Sequence, residues 1–195
     1  MSVVLLLIVR YMDYQAIIDK YYSEHADGET SSDLRHLLLL HSRQVADRCL
    51  LICDRHPELS LDRQFLEEAA MLHDLGVRWC DAPSIHCHGT QPYLLHGQIG
   101  GEVLRQEGWE RHARVAERHT GTGLRREAFL RQGLPAPNTD MMPESLEEQV
   151  VCYADKFYSK SHPERVRTVV EAAQSLEKFG PEGVEKFLSW AKKFE

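Results

Sequence analysis

Apolar residues recur along this chain at the three-to-four spacing of helices, and almost every segment reads that way. Ile17, Ile18, Tyr21 and Tyr22 mark one face of a helix over Tyr14 to His25, which Asp27 and Gly28 break. Ser31 or Ser32 can cap a long Leu-rich helix through Leu34 to Arg55, ended by Pro57. Ser60 or Asp62 caps the next, over Gln64 to Leu75, and Gly76 stops it. His96 to Glu107 and Glu110 to His119 follow, then a short helix over Leu124 to Gln132. Ser145 to Ser159, Pro163 to Phe179 and Pro181 to Phe194 complete the set. The last two begin with proline, whose missing N–H costs nothing in a first turn. Two stretches are irregular: Val77 to Leu95, and the segment holding Pro135, Pro137, Asn138 and Pro143. Long loops in compact domains usually carry function. Strand patterns and internal repeats are absent, so the expected fold class is all-α.

The 195 residues suffice for one well-cored domain and are too few for two comfortable ones. Residues 13–195 therefore read as a single domain, and residues 1–12 as a leader or a mis-assigned start. The apolar run Ser2 to Val9 is far below the roughly 20 residues that span a bilayer. It also lacks a basic leader and a small-residue cleavage site, so no membrane partner is expected. The net charge of −7 argues against general nucleic-acid or anionic-membrane binding. It does not exclude a phosphorylated small molecule, because divalent cations would make a pocket locally positive. Cys49, Cys53, Cys80, Cys87 and Cys152 are an odd number without the spacing of a disulfide framework. They read as reduced, which points to the cytoplasm. Cys80 and Cys87 with His86 and His88 are an alternative zinc set, though no Cys-x-x-Cys accompanies them.

The chemistry gathers on His73-Asp74, which ends the apolar stretch Ala-Ala-Met-Leu-His-Asp-Leu-Gly. That pair belongs to a series: His41, His73, Asp74, His96, His119 and Asp155. Imidazole nitrogen and carboxylate oxygen suit zinc, iron, manganese and, less often, magnesium. Six such groups can hold two metals if one carboxylate bridges. Neighbours on a regular helix point about 100° apart, yet at a helix C-terminus the backbone can turn both toward one pocket. A lone histidine in a helix is more often packed or on the surface, and His25, His36, His56, His112 and His162 are assigned there. Asp155 lies among Tyr153, Ala154 and Phe157, where a buried carboxylate is costly without a partner.

The segments Leu-Leu-His41-Ser-Arg-Gln-Val-Ala, Met-Leu-His73-Asp74-Leu-Gly, Leu-His96-Gly-Gln-Ile-Gly-Gly, Glu-Arg-His119-Thr-Gly-Thr-Gly and Tyr-Ala-Asp155-Lys-Phe carry a resemblance. Their order resembles the HD-domain superfamily of metal-dependent phosphohydrolases, in its six-ligand, two-metal branch, over about Ser32 to Lys160. The resemblance implies a helical bundle with C-terminal helices packed on it. It implies that His41, His73, Asp74 and Asp155 hold a first divalent metal, that Asp74 bridges, and that His96 and His119 hold a second. One or two ions of iron, manganese, zinc or magnesium are the implied cofactors. Water on such ions becomes a nucleophile near neutral pH. The implied activity is cleavage of a phosphoester or phosphoanhydride in a small phosphorylated metabolite or nucleotide.

Two other readings share these ligands. One is a mixed-valent di-iron oxygenase of the same superfamily; the other is a nucleotide- or metal-sensing module without turnover. Around the six, His86 or His88 are candidates for a general acid or substrate contact. Lys156 and Lys160 can meet a phosphate or pair with a carboxylate, and Lys156, Arg43, Thr120 and Thr122 are candidates for substrate binding. Arg43 lies two positions after His41 and does not share its helix face. Many relatives carry a lysine three residues after the Asp of His-Asp; here Val77 stands there and Arg78 follows, so that role is not carried over. The helices over Pro163 to Glu195 either cover the domain or form a dimer face, giving a monomer or a homodimer.

Overall fold

A cap or a close backbone contact accounts for most of the chain's turning points. The computed structural model describes residues 12–23 and 32–195. The expected leader, the break at Asp27-Gly28, the alternative cap Ser31 and His25 lie outside the described residues, except for the leader's last residue, Met12.

Helix α1 (Tyr14–Tyr22) opens where the Asp13 carboxylate accepts from the Ala16 N–H at 2.9 Å, and it buries Ile17, Ile18 and Tyr22. Helix α2 (Ser32–Arg55) buries Leu34, Leu38, Val45, Cys49 and Ile52 along one stripe. His41 lies on that same stripe, so the helical period that packs α2 also aims an imidazole inward. Asp62 caps α3 (Arg63–Leu72) by accepting from the Phe65 N–H at 3.1 Å. Next come α4 (His96–Gln106), α5 (Glu110–Arg118) and the short α6 (Arg126–Leu130). Reciprocal capping boxes start α7 (Leu146–Asp155), through Ser145 and Glu148, and α8 (Val169–Ser175), through Thr168 and Glu171. Helix α9 (Pro181–Phe194) begins with proline.

One hydrophobic core runs from Met12 to Phe194, and a smaller one gathers Leu95, Leu124 and Phe129. Phe187 and Phe194 of α9 lay their rings on Tyr153 of α7, with centroids 4.9 and 5.5 Å apart. Burying each ring is worth about 2–3 kcal/mol, which explains why the C-terminal helices pack on the bundle. Helix α4 approaches its neighbours at backbone distance. A Cβ on Gly97 would lie 2.6 Å from the Ala116 carbonyl oxygen, and one on Gly76 would lie 2.0 Å from that of His96.

Three elements differ from the sequence expectation. Helix α3 ends at Leu72, so Gly76 is a contact point inside a 3-10 turn (Leu75–Trp79) and not a helix stop. The stretch from Val77 to Leu95 is not a plain loop. It holds 3-10 turns at Pro83–Ile85 and Tyr93–Leu95 around an antiparallel pair, β1 (Asp81–Ala82) and β2 (Cys87–His88), in the register Asp81 to His88 and Ala82 to Cys87. Strands of two residues are too short to show an alternation. Finally, Pro163 starts no helix. Arg167 gives its backbone N–H to the Phe157 carbonyl at 2.8 Å, and α8 waits for the Thr168 cap. The protein is all-α apart from the small hairpin. No described helix is long and apolar enough to cross a membrane.

Candidate metal centre

Helix ends bring the six residues together. His73 is the C-cap of α3, with Asp74 next to it, and His119 is the C-cap of α5. His96 opens α4, Asp155 closes α7, and His41 comes from the middle of α2. All but Asp155 are buried, and the Asp155 side chain is 12% exposed. His41 Nε2 lies 3.2 Å from Asp74 Oδ2 and 3.0 Å from Asp155 Oδ1. His73 Nε2 lies 3.0 Å from Asp74 Oδ2 and 3.6 Å from Asp155 Oδ1. The other carboxylate oxygen, Asp74 Oδ1, faces His96 Nε2 at 3.6 Å and His119 Nε2 at 3.4 Å. Asp74 therefore gives one oxygen to each of two groups: His41, His73 and Asp155 on one side, His96 and His119 on the other.

Three of the histidines are aimed by the main chain. Nδ1 of His73, His96 and His119 donates to the carbonyl three residues earlier, on Ala70, Tyr93 and Ala116, at 2.6, 2.6 and 2.7 Å. Ala70 and Ala116 lie in the last turns of their helices, where carbonyls have no helical partner. A carbonyl only accepts, so Nδ1 carries a hydrogen and Nε2 points inward. This orienting bond depends on where α3 and α5 stop and where α4 starts, which the sequence did not show.

Burial favours the neutral carboxyl, yet the charges on His73 and Lys160 hold Asp74 well below the usual carboxylate range. Asp155 is likewise held low against burial, by Lys156 and by the imidazoles of His41 and His73 that face it. Burial opposes a charge on His73, but Asp74 and Asp155 raise it to about 9. His96 is pushed down to about 3 by burial and by His119, and burial lowers His119 as well.

These residues fit divalent cations. His41 Nε2, His73 Nε2 and Asp74 Oδ1 are buried, and their approaches to neighbouring donor atoms at 3.0–3.6 Å lack hydrogen-bond geometry, while Asp74 Oδ2 keeps its ion pair with Lys160. These atoms converge on common points, where a metal would take the place of the proton held on His73 Nε2. Orphaned buried polar atoms are rare and costly. His96 Nε2 and His119 Nε2 also face each other at 3.0 Å. Both carry a hydrogen on Nδ1, so in their neutral forms two lone pairs meet, a contact that a shared cation would relieve. Donors about 2.1 Å from a shared ion would stand roughly 3.0–3.4 Å apart.

The centre forms the floor of a cleft of about 1240 Å³. Thr120 and Thr122 line it, and the Thr120 hydroxyl lies 3.4 Å from His96 Nε2. Lys156 pairs with Asp155 Oδ2. Lys160 reaches Asp74 Oδ2 at 2.5 Å, its charge favoured against burial by Asp74, Tyr93 and Asp155. Val77 offers no ammonium, and Lys160, five residues beyond the end of α7, brings one to Asp74.

Other expected contacts are not formed. His86 and His88 are exposed on the hairpin, which gives the cleft Ala82, Ser84 and Ile85 instead. His86 takes the left-handed conformation (φ 60°) that closes its 3-10 turn, which turns it outward. The alternative zinc set is not assembled: the Cys80 and Cys87 thiols face the Gly76 and Ile85 carbonyls, both at 3.7 Å. Arg43 is spent on Asp47 and Glu67, at 2.8 and 2.7 Å, and does not line the cleft.

The HD domain family matches residues 38–160, and the chain belongs to that family. It is a superfamily of metal-dependent hydrolase type whose domains bind divalent metals. An uncharacterized protein of Methanocaldococcus jannaschii is 33% identical over 128 residues, covering 60% of this chain and 68% of that protein. The tRNA (cytidine(56)-2'-O)-methyltransferase of Thermoplasma volcanium is 26% identical over 135 residues, 69% of this chain and 35% of the enzyme. That of Picrophilus torridus is 30% identical over 138 residues, 70% of this chain and 33% of the enzyme. This chain thus spans about a third of the length of those methyltransferases. No solved structure matches it.

Proposed function

We propose that this protein is a two-metal phosphohydrolase acting on a small phosphorylated metabolite or nucleotide. One observation carries the reading: Asp74 offers an oxygen to each of two buried donor groups on the floor of an open cleft. In this reading His41, His73, Asp74 and Asp155 hold one ion, and Asp74, His96 and His119 hold the other. Bound there, the ions would supply an activated water and neutralise phosphoryl charge. The chain does the rest. The carbonyl bonds fix three imidazoles before any ligand arrives, which removes reorganisation from the reaction. Lys160 and Lys156 keep ammonium groups beside the two carboxylates, where they can face phosphoryl oxygens.

Methyl transfer does not carry over, because the matched family is the HD domain and the chain spans only a third of the methyltransferases. The tRNA in their names does argue for including nucleotides in a substrate panel. The test is phosphate release from nucleotides and sugar phosphates by protein loaded separately with manganese, iron or zinc. Release that disappears in Asp74→Ala is expected. Silence with every metal, together with oxygen uptake by the iron-loaded protein, would replace the hydrolase with a di-iron oxygenase.

A further inference from the structure

The metal centre occupies only the floor of the cleft, and the wall beyond it carries polar groups that the centre does not use. Thr122 is 4% exposed, and its hydroxyl lines the cleft with no hydrogen-bond partner among the described residues. It abuts the first turn of α9: a Cβ on Gly183 would lie 3.3 Å from Thr122 Oγ1. That turn has no side-chain cap. Pro181 has no N–H, and the N–H groups of Glu182 and Gly183 meet no capping side chain, at the positive end of a 14-residue helix.

One turn further along α9, Lys186 lines the same cleft, half-buried. Lys20, Lys156 and Lys160 each meet a carboxylate. Lys186 has none among the described residues; it stands 5.3 Å from the Trp190 ring, near the Cys152 thiol and the Arg125 guanidinium. Burial, with Arg125 adding to it, disfavours its charge. The acidic residue of this turn, Glu182, is engaged by Arg125 at 2.5 Å. The wall is tied to the metal centre: the Cys152 thiol donates to the carbonyls of His119 and Gly121 at 3.3 and 3.4 Å, on the turn that carries Thr122.

We propose that Thr122, Lys186 and the first turn of α9 form a second anion subsite, which takes a phosphate group of the substrate remote from the one cleaved. The preferred substrate is then a small molecule with two separated phosphates. This substrate class rests on the phosphohydrolase reading, whereas the anion site does not.

The first test is calorimetric binding of inorganic phosphate to the metal-free full chain in the presence of a chelator. Lys186→Gln is expected to weaken binding by roughly 10-fold or more, since a charge-assisted bond is lost, and Thr122→Val by several-fold. Near-UV circular dichroism checks that both variants fold. Equal binding by all three proteins, or none by the parent, would overturn the subsite. In the manganese-loaded enzyme, Lys186→Gln should raise KM for a nucleoside bisphosphate without lowering kcat, and should leave KM for a nucleoside monophosphate unchanged. An equal rise for both overturns the substrate class. If no substrate is cleaved with any metal, the hydrolase reading fails, and the calorimetry still decides the subsite.

Discussion

His73 and His96 are the same residue, buried to the same depth and latched alike to a carbonyl three residues back, at 2.6 Å. Their charges diverge: His73 titrates at about 9 and His96 at about 3. The latch is common to both, so the difference comes from what faces Nε2. His73 looks at Asp74 and Asp155; His96 shares Asp74 with another imidazole, His119. The centre thus has a carboxylate-rich half, which attracts positive charge strongly, and an imidazole-rich half of neutral donors. The two halves should differ in affinity and in how pH governs them.

Removing the shared oxygen donor breaks the comparison altogether. Asp74→Ala should leave less than one ion per chain by elemental analysis and lower hydrolysis by more than ~100-fold, beyond the loss typical of a group that merely supports a ligand. Next in size is the contrast between the halves. His119→Ala should retain one ion through dialysis against a weak chelator, and Asp155→Ala should not. The reverse pattern would sink the proposed order of affinity.

The pH dependence follows from the sign of the His73 shift. A metal needs the imidazole without its Nε2 proton. Because that proton is held up to about 9, ion binding at neutral pH must displace it. Affinity for the first ion should rise about tenfold per pH unit and level off near 9, with about one proton released in calorimetry across buffers of different ionisation heat. His96 and His119 are already neutral and should release none.

A structural change tests the close approach of α4. Gly76→Ala forces a Cβ to 2.0 Å from the His96 carbonyl oxygen, which should cost about 1–3 kcal/mol and lower Tm by a few degrees. The second ion should be lost more readily than the first. Smallest is His112→Phe, which removes the 3.1 Å contact with Glu68. Glu68 keeps its bond from Gln64 at 2.8 Å, so the loss should be about 1 kcal/mol, with ion content unchanged.

Much of this was legible in the chain, for identifiable reasons. The helices announce themselves because their buried stripes repeat at short range, as along α2. The six metal-type residues stood out because several lie in apolar surroundings where their polarity needs a partner. The local mistakes have a common source in signals that compete over a few residues. Pro163 suits a first helical turn, but the reciprocal cap of Thr168 and Glu171 outweighs it. His86 and His88 sit in the right segment, yet a hairpin with two-residue strands turns them to solvent. The carbonyl latches were beyond reach for another reason. They depend on where helices stop and dock, which no nearby residue encodes.

The gathering of helix ends has a consequence for how the protein is made. A ribosome delivers His41 long before Asp155, and His73, His96 and His119 are on separate helices whose last or first residue must be in place. No chain shorter than 155 residues contains the whole cluster, and the carbonyl latches exist only once the ends of α3, α4 and α5 have formed. In the proposed centre the first ion therefore reports that α2, α3 and α7 have docked, and only the second reports α4 and α5 as well.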